Sequence, residues 1–264
     1  MQIASIPLFS YGFRSFFFGG ALWAVIAMLL WIGLLTGGLS FADGYGAVPW
    51  HIHEFLFGYI SAVVTGFLLT AIPNWTGRLP LRGGKLLMLF LVWFAGRIAM
   101  LMTARLGVPL AAVIDAAYLW LLTFVVLREI LSGNSWRNLK VVVLVAIIAS
   151  TNTFFHVEII QNGAPDISSR LGIAAIVALI ILIGGRITPS FTHNWLVKQN
   201  ITKLPAPFGR FDIFVMALSA LTLVLWVAAP HWHPTGAALL AVAALLLIRL
   251  LRWQGLRTWR DPIA

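Results

Sequence analysis

The chain has 264 residues, of which 61% are hydrophobic and only 10% charged, with a mean hydropathy of +0.95. That composition excludes a soluble globular domain, and the absence of cysteine excludes disulfides, thiolate metal sites and cysteine nucleophiles. A net charge of +10 would suit a nucleic-acid partner, but the placement of the charges along the chain argues for something else.

Apolar runs recur along the whole length, each long enough to cross a hydrocarbon core of about 30 Å as a helix. They predict spans over roughly 14–35, 50–73, 85–104, 108–131, 140–161, 170–190, 211–229 and 236–252. The runs are continuous and not alternating, which excludes a β-barrel. The expected fold is all-α: a polytopic helical membrane protein of about eight transmembrane helices, forming one bundle domain over 1–264.

The first span follows Arg14 and ends at TGG, 36–38. Ser40-Phe41-Ala42 resembles a cleavage site, but the preceding apolar stretch is too long for a signal core, so the helix is expected to be retained. The second span opens on WHIHEF, 50–55, with Pro49 suited to the first helical position. The third carries Arg97 and the fourth Asp115, each about seven residues, or roughly 10 Å, from the same end. The fifth holds Asn152 and His156, with Glu158 expected on the exposed rim. The sixth contains Gly184-Gly185 and is expected to stop near Pro189. A turn with His231 and His233 precedes the eighth; both histidines are expected to be solvated. The tryptophans near span ends, Trp50 among them, read as an interfacial belt.

Fifteen of the 18 basic residues fall on one side: Arg14, Arg78, Arg82, Lys85, Arg128, Arg137, Lys140, Arg186, Lys198, Lys203, Arg210, Arg249, Arg252, Arg257 and Arg260. Arg105 and Arg170 fall on the other. The positive-inside rule then places both termini in the cytoplasm, and the basic residues are topology signals with no nucleic acid implied.

On this topology His51, His53 and Glu54 enter the membrane from the outer side. His156 reaches a similar depth from the fifth span, roughly 6 Å below the surface. Imidazole is the commonest metal ligand and the usual axial ligand of haem iron, so histidines from different helices could grip a haem or a copper ion. On an ideal helix His51 and His53 point about 200° apart, while His51 and Glu54 are about 60° apart. The two histidines therefore share a pocket only if the start of the helix is irregular. Glu54 could orient a histidine. Arg97 is expected to pair with Asp115 across a helical hairpin; the alternative is a bound anion such as a haem propionate.

The segments GFRSFFF at 12–18, WHIHEFLFGY at 50–59, GFLLTAIPNWTGR at 66–78, AGR at 95–97 and GGRITPSFTHNWL at 184–196 resemble the NnrS family. The resemblance implies a bacterial inner-membrane protein containing haem and copper, linked to denitrification and to resistance against nitric oxide and nitrosative stress. It implies cofactor contacts at His51, His53, His156 and Arg97, and metal ligands among His51, His53, Glu54 and His156. Family members usually carry about twelve helices, so the resemblance also implies a C-terminally short form. Expected partners are nitric oxide or another small diatomic and the lipid bilayer, with a homo-oligomer admitted. A transporter or channel for a metal or iron complex is the alternative, and an enzyme that transforms nitric oxide the third reading. The sequence favours a non-enzymatic role, because it has no haem c attachment motif and few buried carboxylates.

Overall fold

The computed structural model describes residues 6–259. Among them eight helices are long and apolar enough to cross a membrane, and no strand occurs. They are α1 (Gly12–Leu35), α2 (Ala47–Thr76), α3 (Gly84–Leu101), α4 (Val108–Ser132), α5 (Trp136–Asn162), α6 (Asp166–Lys198), α7 (Arg210–Ala228) and α8 (His233–Arg252). The chain is a multi-pass helical membrane protein, as its composition requires.

Two compact units divide the chain, one running to Gly172 and the other from Ile173. In the first, α1 packs along α2, α4 lies between α3 and α5, and α2 closes against α4. Phe16, Leu68, Leu86, Leu122, Val126, Val141, Val145 and Phe155 fill the space between them. Large apolar side chains such as Phe18, Leu29, Val113 and Phe124 face outward, where lipid can cover them.

Local chemistry sets the helix ends. α2 stops at Gly77, whose φ of +68° forms a left-handed cap with its N–H on Pro73 O at 2.8 Å. α4 starts with Pro109 in its first turn, where the missing N–H costs nothing. Pro49 lies two residues further into its helix than expected of a first position, because α2 already begins at Ala47. It is still inside the first turn, so no backbone bond is lost. α6 continues through Pro189 to Lys198, beyond the expected stop near residue 190. Proline within a membrane helix is tolerated where neighbours resatisfy the backbone.

Two expectations about polar side chains are corrected here. Glu158 is buried, not exposed on a rim. It accepts hydrogen bonds from the backbone N–H of Ile167 at 3.2 Å and of Ser168 at 2.8 Å, and from the Ser168 hydroxyl. It thereby satisfies free donors in the first turn of α6. Trp50 is fully buried, with its indole N–H on Met100 O at 3.2 Å, and does not belong to an interfacial belt.

In the second unit α7 pairs with α8. Arg249 is buried there, donating from Nε to Asp212 Oδ1 at 2.9 Å and from a terminal nitrogen to Ile181 O at 3.3 Å. Its guanidinium also lies 5.3 Å from the Trp253 ring centre. A residue counted as a flanking topology charge is thus a structural ion pair.

Candidate metal centre

The polar residues of α2 to α5 meet in one buried network. α2 supplies it through an irregular start. After one regular stretch ending at His53, the helix widens into π geometry over Glu54–Tyr59 before resuming as α-helix. Such widened turns recur at functional sites because they re-aim side chains without ending the helix. Here the widened turn puts His53 and Glu54 side by side in the core, with His53 Nδ1 2.9 Å from Glu54 Oε1.

Asp115 of α4 is the hub. Its Oδ2 lies 3.1 Å from His53 Nε2 and 3.1 Å from His156 Nε2, and accepts from Asn152 Nδ2 at 2.8 Å. Its Oδ1 accepts from Arg97, which also donates to Glu54 Oε2 at 2.6 Å. The pairing of Arg97 with Asp115 across the α3–α4 hairpin is therefore present, and Glu54 joins it. The Trp23 indole donates to the same Glu54 oxygen at 2.7 Å. The residues are closed off from solvent, with His53 0%, Asp115 1% and His156 2% exposed.

Each carboxylate accepts from a guanidinium and a neutral donor, which is what a buried ion needs to be held. His53 faces acceptors on both ring nitrogens: Glu54 on one side, and Asp115 with Asn152 Oδ1 (3.0 Å) on the other. Donating to both sides puts hydrogen on both nitrogens. The charges of Arg97 and His53 then offset those of Glu54 and Asp115.

Gly58 makes the close approach possible. A Cβ there would run into the Arg97 guanidinium and lie 2.8 Å from Glu54 Oε2 and 3.1 Å from the Trp23 indole nitrogen. Its carbonyl accepts from the Trp93 indole at 2.9 Å. Tyr45, in the connection before α2, lies 2.6 Å from His156 Nδ1 and is buried. Burial first, and then the charges of Asp115 and Glu54, push its phenol up from the ordinary range, so it stays a neutral hydroxyl.

Of the sequence-predicted residues, the structure brings together His53, Glu54, Arg97 and His156. His51 lies apart, its ring stacked on Trp31 at 3.8 Å between centroids and 4.6 Å from Phe55. His231, in the turn before α8, and His233, its first residue, are both exposed. Sequence reading gave Asp115 only as a partner for Arg97, and missed Tyr45 and Trp23 altogether. The shared depth of Asp115 with the histidines was the one available signal.

One ligand atom each from His53, Asp115 and His156 lies within 4.8 Å of the others, so the three could hold a metal ion. Two imidazoles and a carboxylate suit first-row transition ions such as copper, iron and zinc. The same pair of histidines does not fit a haem between them. Their ring centroids are 4.8 Å apart at a 42° tilt, and both Nε2 atoms converge on one oxygen instead of facing each other across a plane. Both terminal nitrogens of Arg97 are engaged by carboxylates, leaving only Nε unpartnered for any further anion.

A sequence model of the family described as NnrS protein matches residues 7–264. No curated protein matches the chain, and no solved structure does.

Proposed function

The chain belongs to the NnrS family, and from that premise we propose that it is a metal-binding protein of the bacterial inner membrane, acting in the response to nitric oxide. The site proposed is the His53–Asp115–His156 cluster, holding a redox-active copper or non-haem iron ion. The observation that carries this reading is the convergence of three donors within a polar network closed off from solvent. An ion held there by three protein ligands would supply an open coordination position to a small neutral diatomic.

The protein's own groups do the rest. Arg97 and Asn152 anchor Asp115 so that Oδ2 points at both imidazoles. Glu54 fixes the His53 ring through Nδ1, leaving Nε2 toward the cluster. Phe57 and Phe155 pack on the His53 ring, at 5.5 and 5.3 Å between centroids, and exclude water. Nitric oxide, being neutral, reaches such a site through lipid and apolar side chains without a pore. The closure of the cluster speaks for retention of an ion and against its passage. The membership in this family is the ground for extending the role to nitrosative stress and denitrification.

The test is metal analysis of the detergent-purified chain after loading with Cu²⁺ or Fe²⁺, followed by anaerobic titration with nitric oxide under an absorption and EPR readout. Bound ion is expected in the wild type and in His51→Ala, with loss in His53→Ala and His156→Ala. Metal content that is the same in all four proteins would overturn the assignment.

A further inference from the structure

The connection between α1 and α2 brings Tyr45 over the cluster. Its backbone is tied in place: Tyr45 N and Gly46 N both donate to Ala42 O, at 3.1 and 3.0 Å, and Thr103 Oγ1 donates to Phe41 O at 3.1 Å. Phe41 packs edge-on against buried Trp50, with ring centroids 5.1 Å apart. The phenol that results is 3% exposed and ends 2.6 Å from His156 Nδ1.

A neutral imidazole has one N–H and one lone pair. Against His156 Nε2 the Asp115 carboxylate can only accept, so in these contacts Nε2 donates to it and Nδ1 accepts from the Tyr45 hydroxyl. To bind an ion, Nε2 must present its lone pair, and the hydrogen must then sit on Nδ1. A hydroxyl serves both states, because it donates to a bare Nδ1 and accepts from Nδ1–H. Neither a backbone carbonyl nor an amide N–H could do both.

Resting on the metal reading above, we propose that Tyr45 is the positioning residue of the centre, its hydroxyl holding the His156 ring through Nδ1 in either tautomer and so keeping Nε2 turned toward the ion. Partners of this kind, one bond behind a ligand, change metal affinity by about 10–100-fold when removed.

The test uses the full chain loaded with Cu²⁺, comparing wild type, Tyr45→Phe and Phe41→Leu. Tyr45→Phe keeps the ring and removes only the hydroxyl. Its Cu²⁺ affinity is expected to fall by about 10-fold or more. Pulsed EPR reads the remote ring nitrogen of each coordinated imidazole and responds to its hydrogen bond. The remote-nitrogen quadrupole coupling of one of the two histidines should shift in Tyr45→Phe. Phe41→Leu loosens the same connection without touching the hydroxyl, and should leave that coupling at its wild-type value. Unchanged affinity and couplings in Tyr45→Phe would overturn the role of Tyr45 while leaving the metal centre standing. The same shift in Phe41→Leu would overturn it as well, showing that packing of the connection is responsible. Absence of histidine-coordinated Cu²⁺ in the wild type would overturn the metal reading itself, and this inference with it.

Discussion

Replacing Arg97 with glutamine removes the guanidinium that bridges the two carboxylates of the core. Arg97 donates to Glu54 Oε2 at 2.6 Å and to Asp115 Oδ1. Hydrogen bonds to charged groups contribute about 1.5–3 kcal/mol each, and taking one partner from a buried ionic group costs about 3–5 kcal/mol. Glu54 keeps the Trp23 indole at 2.7 Å and Asp115 keeps the Asn152 amide at 2.8 Å, which places the loss near the lower end, about 3 kcal/mol. At about 2–4 °C per kcal/mol for a large domain, the unfolding midpoint in detergent should fall by about 6–12 °C. Lysine at the same position keeps the charge but lacks the planar fork, so it cannot bridge two carboxylates in one geometry. Arg97→Lys should therefore fall between wild type and Arg97→Gln. The assay is thermal unfolding followed by circular dichroism on the metal-free protein. A midpoint for Arg97→Gln within about 2 °C of wild type, which amounts to no more than about 1 kcal/mol, would refute the reasoning that this guanidinium holds the two charges.

Gly58→Ala places a methyl group against the Arg97 guanidinium, Glu54 and Trp23 at once. Overpacking of this kind costs about 1–3 kcal/mol, and metal content should drop with stability because the displaced groups orient His53 and Asp115; full metal loading at unchanged stability would show that the core yields freely. Glu158→Ala frees donors at the start of α6 and should cost about 1 kcal/mol in the same melting assay. It should leave metal content intact, since Glu158 bonds Ile167 and Ser168 and not the cluster.

The spans were legible because about twenty apolar residues in a row have few other uses. Their ends were less so. The sixth reads as stopping near Pro189, yet α6 runs to Lys198, because sequence alone does not show which neighbours support the backbone around a proline. Depth along a helix was also legible, and it brought Arg97 toward Asp115 and His156 toward the second span. Direction around the helix was not. Ideal geometry puts Glu54 nearer the His51 face, whereas the π turn that begins at Glu54 carries it to the His53 side. Glu158 looked peripheral because its partners, Ile167 and Ser168, lie across a turn whose path no local pattern reveals. Tyr45 sits in a connection with no periodicity at all, and only tertiary contact makes it part of the site.

The widened turn of α2 has a consequence for the spacing of its sequence. A π turn is an extra residue that a helix has absorbed without breaking. Winding the same six residues, Glu54–Tyr59, as regular α-helix would swing the part of α2 before them by about 100° relative to the part after. His53 would leave the core face even though every side chain around it were unchanged. The widened turn between WHIH and the rest of the helix therefore works as a setting of angle, and losing its wide winding is a different kind of lesion from losing a side chain.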